Sequence, residues 1–193
     1  MTYPVATKNA WLNGQAFDFA SLHTAYPGTT GANEVVGGAP AYARKAITIN
    51  AASGGSRLLN AAVTFDVPAS TVRWLGFWNA GAFVGGCANG GATPKNFVAQ
   101  PSSSLVYAPG HGWSDGQKIV FFGIPPTGLT EGTTYFTVST TVDSFKVAAT
   151  LAGAPITLTA VSSFGCVVVA ITEQVYVGQD THALTLATVT VPD

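Results

Sequence analysis

At 193 residues the chain can bury a core without disulfide or metal staples. Only 9% of its residues are Asp, Glu, Lys or Arg, against roughly 25% in an ordinary soluble domain, while 47% are hydrophobic and 22 are Gly. A net charge of −1 with dispersed signs gives no basic stripe for a phosphate backbone, which argues against nucleic-acid binding. A surface so poor in charge predicts association with copies or partners.

The start, MTYPVATKNAW, lacks the basic-then-apolar profile of a secretory signal, so synthesis in a cytoplasm is expected. No apolar run approaches the ~20 residues that span a bilayer, and no membrane insertion is expected. Cys87 and Cys166 lie far apart in the sequence and read as reduced, buried thiols; their spacing does not say whether they meet.

In chain order, Pro4 to Gly14 holds the one helical candidate, short, weakly amphipathic and stopped by Asn13-Gly14. A strand is expected from Phe17 through SLHT, then a long loop over AYPGTTGANEVVGGAPAY. ARKAITIN predicts a strand with Lys45, Ile47 and Ile49 on one face, and NAAVTFDV one with Val63, Phe65 and Val67 inward. TVRWLGFW reads as one strand apolar on both faces, as in the middle of a sandwich, which puts Trp74 in a core. A short apolar strand, AFVGG, and another beginning at Asn96 follow.

The stretch from Leu105 to Leu158 looks like a complete small β unit, with strands at Lys118–Gly123, Thr133–Ser139, Ser144–Thr150 and Ile156–Thr159 joined by tight turns. Beyond it, Phe164–Ile171, Gln174–Val177 and Ala183–Val191 resume the earlier Thr/Val/Ala texture. The expected fold is therefore all-β: a β-sandwich or jelly-roll-like outer domain from residues 1–103 plus 161–193, and an inserted β module at 104–160. The two ends of the insertion, near Pro101 and Ser163, must then lie close together.

No constellation declares a reaction. His23, His111 and His182 have no second ligand at metal-like spacing, and no metal or other cofactor is implied. Ser21 and His23 suggest a serine and its base, but no G-x-S-x-G elbow exists, and the strand is expected to point them to opposite faces. The nine acidic residues fall mostly in turns such as Asp115-Gly116 and Asp143-Ser144. No catalytic residue is expected. The candidates for surface binding are Trp113, held in a loop between GHG and SDG, with Tyr107 and His111. A Trp113 that pins its loop onto the module's core is an equal reading.

SLHTAYPGTTGANEV from Ser21, YARKAITI from Tyr42 and VTFDVPASTVRWLGFWNA from Val63 resemble, in order, a family of small tailed-phage and prophage virion proteins known as tail fibre or minor tail proteins. Tyr26 stands where members of that family often carry Asp. HGWSDGQKIVFFG, LTEGTTYFTV and DSFKVAAT separately resemble a small β module of phage tail and baseplate proteins. The resemblance implies a non-catalytic virion structural protein, of tail-fibre or capsid-decorating type, assembled in the bacterial host cytoplasm. Its partners would be other virion proteins and copies of itself. The alternative is a receptor- or carbohydrate-binding module that contacts the host envelope through a surface glycan.

Overall fold

The computed structural model describes residues 3–162 and 166–190. Ser163, Phe164, Val191 and Asp193, on which parts of the expectations above rest, lie outside them. The chain forms two compact units, residues 1–87 with 173–193 and residues 88–172. The second is wider than the expected insertion on both sides.

The first unit opens with α1 (Val5–Asn13), of which only Lys8 and Leu12 are buried. So weak a stripe does not hold a helix by itself; the Arg57 guanidinium does, donating to the Leu12 carbonyl (2.9 Å) and the Gln15 carbonyl (2.6 Å) at the helix's negative end. The strands β1 (Phe19–His23), β2 (Lys45–Ala46), β3 (Ser56–Leu58), β4 (Val63–Val67), β5 (Ser70–Val72), β6 (Trp74–Asn79) and β7 (Ala82–Ala88) follow. β2, β1, β6 and β7 form a four-stranded sheet in that order. β1 runs antiparallel to β6, with Ser21 opposite Gly76 and His23 opposite Trp74.

Two expected strands are broken. ARKAITIN leaves the sheet after Ala46, although Ile47 and Ile49 still enter the core. TVRWLGFW splits at Arg73, whose side chain donates to Glu173 (2.5 Å) and to the Thr24 carbonyl (2.6 Å). Thus the β5 half pairs elsewhere than the β6 half.

The second unit contributes β8 (Lys95–Asn96), β9 (Val98–Gln100), β10 (Leu105–Tyr107), β11 (Lys118–Phe122), β12 (Thr134–Val138), β13 (Ser144–Ala148) and β14 (Val167–Ala170). Their order in one antiparallel sheet is β8-β14-β11-β12-β13-β10-β9. The two ends of that order are joined by the single residue Phe97. In a flat sheet they would stand about 29 Å apart at ~4.8 Å per strand, yet one intervening residue reaches at most ~7 Å. The sheet therefore closes on itself, with residues 95–100 acting as one bent strand of a six-stranded barrel. Side chains fill a barrel this narrow: Phe97, Val106, Ile119, Phe121, Tyr135, Phe145, Val147 and Val168 make its core.

Closure explains why β14 belongs here. The run from Val167 pairs with β11 on one side and β8 on the other, whereas its texture had assigned it to the outer sheet. The expected strand Ile156–Thr159 does not form; it is reduced to an isolated bridge between Ala148 and Pro155 and a bond from the Ile156 amide to the Val147 carbonyl. The Ser162 hydroxyl accepts from the Ala99 amide (3.3 Å), so the chain approaching Ser163 lies beside the segment leading to Pro101.

The chain then returns to the first unit as β15 (Gln174–Tyr176), β16 (Asp180–Leu184) and β17 (Thr188–Thr190), which pair with β5, β4 and β3. Their inward residues, among them Tyr176 and Leu184, join Phe65, Val67 and Val72 in one core with Ala20, Leu22, Leu75 and Phe77 of the four-stranded sheet. The unit is sandwich-like: ladders built from both chain segments cover one sheet.

Candidate functional site

Ser21 and His23 are brought together, contrary to the sequence reading. They are two apart on β1, and alternation puts such residues on the same face. The Trp78 indole N–H donates to the Ser21 hydroxyl (2.7 Å), which donates in turn to His23 Nε2 (2.7 Å); His23 Nδ1 donates to the Ala32 carbonyl (2.7 Å). Those partners fix the neutral tautomer. Burial lowers the His23 pKa below its ordinary 6.5.

The other residues that carry the family resemblance enclose this chain of bonds. Arg44 grips Glu34 with Nε (2.9 Å) and Nη2 (2.7 Å) and lays its guanidinium 3.2 Å from the centre of the Trp78 ring. The Tyr42 hydroxyl accepts from the Leu22 amide (2.7 Å), and burial raises its pKa. Gly31, at φ +75°, lies so close that a Cβ there would stand 2.4 Å from the Trp78 ring. Gly76 seals the other side, where a Cβ would fall 2.4 Å from His23 Nε2. Ser21 and His23 are both 0% exposed, so the pair meets no solute. It is a buried, satisfied polar network, and such networks rigidify the structure around them.

Of the three predicted surface residues, Tyr107 is exposed on β10 and Trp113 is half-buried. His111 is a correction: it is 5% exposed. Its ring packs edge-on against Phe145 (5.3 Å) beneath Trp113 (5.2 Å), because the loop folds its aromatic residues back onto the barrel core. The Trp113 amide donates to His111 Nδ1 (3.0 Å), which leaves the proton on Nε2, a buried atom without a hydrogen-bond partner among the described residues. Trp113 itself lies against Phe145 (5.5 Å), so it both pins the loop and shows one face.

That face borders an open groove of about 750 Å³ between the β10–β11 loop and the β12–β13 turn. Neighbouring strands alternate in direction, so both connections leave the barrel at the same end. This is also the end where the chain enters before β8 and leaves after β14. Gly110, Gly112, Trp113, Ser114 and Asp115 line one wall, and Thr140, Thr141 and Val142 the other.

The walls are tied together. Asp115 Oδ1 accepts from the Thr140 amide (2.8 Å) and from its hydroxyl, contacts that hold this carboxyl below the usual carboxylate range. Asp143 Oδ1 accepts from the Gly110 amide (2.8 Å). Buried Thr137 donates its hydroxyl to the Ser114 carbonyl (2.6 Å) and accepts from the Gln117 amide (3.0 Å). Gly110 and Gly112 have positive φ and open space where a Cβ would be, leaving bare backbone in the wall.

Sequence reasoning missed Thr140, Thr141 and Val142. Pairing two turns across a barrel end needs the strand order, although Asp115-Gly116 and Asp143-Ser144 had marked both turns. Among the described residues no cluster of His, Cys, Asp and Glu could hold a metal, both cysteines are free, and no helix is long and apolar enough to cross a membrane.

Fold and geometry together define an all-β protein with a rigid packed network in one unit and an open groove, its lining more apolar than polar, on the barrel of the other. The family described as Podophage GP4 fiber I protein gp80 matches residues 4–101, and the chain belongs to that family. It is a phage virion structural protein. The match takes in the whole polar network around His23 but ends at Pro101, so the groove lies beyond it. No curated protein and no solved structure matches the chain.

Proposed function

We propose that this protein is a non-catalytic fibre subunit, which docks on other virion proteins, copies of itself included, through its first unit and presents its barrel at the surface. What carries the reading is where the family-matched residues go: Ser21, His23, Glu34, Tyr42, Arg44 and Trp78 are all engaged in packing and hydrogen bonding within the first unit. They build a scaffold and leave no reacting group in a cleft. The same unit exposes Val36, Val175, Val177 and Leu186 on a chain poor in charge, apolar side chains suited to contact with another subunit. Assembly of this kind takes place in the host cytoplasm, where the other virion proteins are made.

Labelling virions with an antibody against the barrel, read by negative-stain microscopy, tests this. Decoration at regular sites is expected; unlabelled particles that contain the protein refute presentation of the barrel. A second reading, in which the barrel contacts the host envelope, is favoured by the groove beside Trp113. Fluorescently labelled protein that marks host cells would support it, and unmarked cells would end it.

A further inference from the structure

We propose that the groove between the β10–β11 loop and the β12–β13 turn binds a neutral oligosaccharide, which rests on the envelope-contact reading and names its ligand. Three properties of the walls select the class. The free face of Trp113 and the side chain of Val142, which is 78% exposed, offer apolar area at the mouth, suited to the C–H face of a pyranose ring rather than to an extended charged chain. The Ser114 hydroxyl, the bare backbone at Gly112 and the Thr140 hydroxyl, which donates to Asp115 and keeps lone pairs to accept with, provide hydrogen-bonding groups at short range, the complement of a polyol. The fixed charge is negative: Asp115 stands in the wall as a carboxylate and Asp143 is tied to Gly110 behind it. Among the described residues no cation lines the groove. A sialylated or uronic-acid chain would meet like charge, so an uncharged glycan is preferred.

The groove also costs little to order. Thr137, Asp115 and Asp143 already brace its walls, so binding need not freeze loops first. The narrow barrel interior is filled, which leaves the rim as the place for a ligand.

The test is a glycan array of defined neutral oligosaccharides and their uronic-acid counterparts, followed by calorimetry on the hits, alongside host-cell labelling. Neutral glycans are expected to bind and acidic ones not to. Trp113→Ala should weaken binding roughly tenfold, about the worth of one stacking contact. Because that change also removes packing on Phe145, Val142→Asp provides a second probe at an exposed position that leaves the core intact, and by removing apolar area at the mouth it should weaken binding by roughly threefold to tenfold. Asp115→Asn keeps an acceptor for Thr140 but removes the charge, and should admit acidic glycans. A blank array, a preference for acidic glycans, or full binding by Val142→Asp would overturn the proposal. If cells are still labelled in any of these cases, the envelope-contact reading survives with another ligand or surface; if they are not, both fail.

Discussion

Replacing Ser21 by Ala removes one small hydroxyl and leaves two buried groups unpaired. The Trp78 indole N–H loses its acceptor and His23 Nε2 its donor, both at 2.7 Å in the intact protein. Both Ser21 and His23 are fully buried, so bulk water does not reach the two groups. Each unsatisfied buried group costs about 1–3 kcal/mol, so a loss of roughly 3–4 kcal/mol is expected, a large share of the ~5–15 kcal/mol that holds a typical domain folded. Urea unfolding followed by tryptophan fluorescence suits the measurement, since Trp11, Trp74 and Trp78 all lie in the first unit. The midpoint should fall with an unchanged slope. Ser53→Ala, at an exposed position, should shift stability by less than about 0.5 kcal/mol. If Ser21→Ala loses no more than this control, the hydrogen-bond chain is not holding the sheet and the account of the family motif fails.

The histidines predict acid sensitivity. Burial lowers the pKa values of both His23 and His182 below 6.5. The unfolded chain therefore takes up protons first, and stability is full above pH 6.5 and declines below it until the folded pKa values are reached, by up to about 1.4 kcal/mol per pH unit for each histidine. Thermal melts from pH 8 to 4.5 should show this, and a flat profile would contradict it. For Asp115 the sign is the same but the cause is different, hydrogen bonds from Thr140 that favour the charged form, and it acts further down the scale: its lowered pKa keeps the tie to Thr140 intact until pH falls below the usual carboxylate range. Amide exchange at Thr140 should thus stay slow at pH 4.5. Gly31→Ala combines a φ of +75° with a Cβ 2.4 Å from the Trp78 ring, and should cost at least ~2 kcal/mol or prevent folding of the first unit; a melting temperature within 2 °C of the parent would count against it. Thr137→Val removes a hydroxyl that bridges Ser114 and Gln117; the barrel should stay folded while protease nicking near Trp113 rises.

Much of the local structure was legible because it follows from alternation and turn chemistry. Val63, Phe65 and Val67 point as their period-two pattern requires, and α1 stops at Asn13 as Asn-Gly predicts. The same rule, applied with the right spacing, would have put Ser21 beside His23, so that miss was one of reading. In the candidate groove, Trp113 was visible as an aromatic residue in a glycine-flanked loop, whereas the burial of His111 was not, because a loop shows no period that tells in from out.

By itself the sequence determined an all-β chain with little charge and a helix too weak to stand alone. Only the tertiary structure decided where strands changed partners. Arg73 breaks one apolar run into two because Glu173 and the Thr24 carbonyl hold its guanidinium there. Phe97 lets one short segment serve both ends of a sheet, drawing Lys95 and Asn96 onto Val168 and Val167 some seventy residues on. Closure is a property of the whole set of strands, since each pairing satisfies backbone groups that every residue carries alike. No side-chain pattern in Val167–Ala170 marks it for the barrel rather than the outer sheet, and the choice falls to geometry.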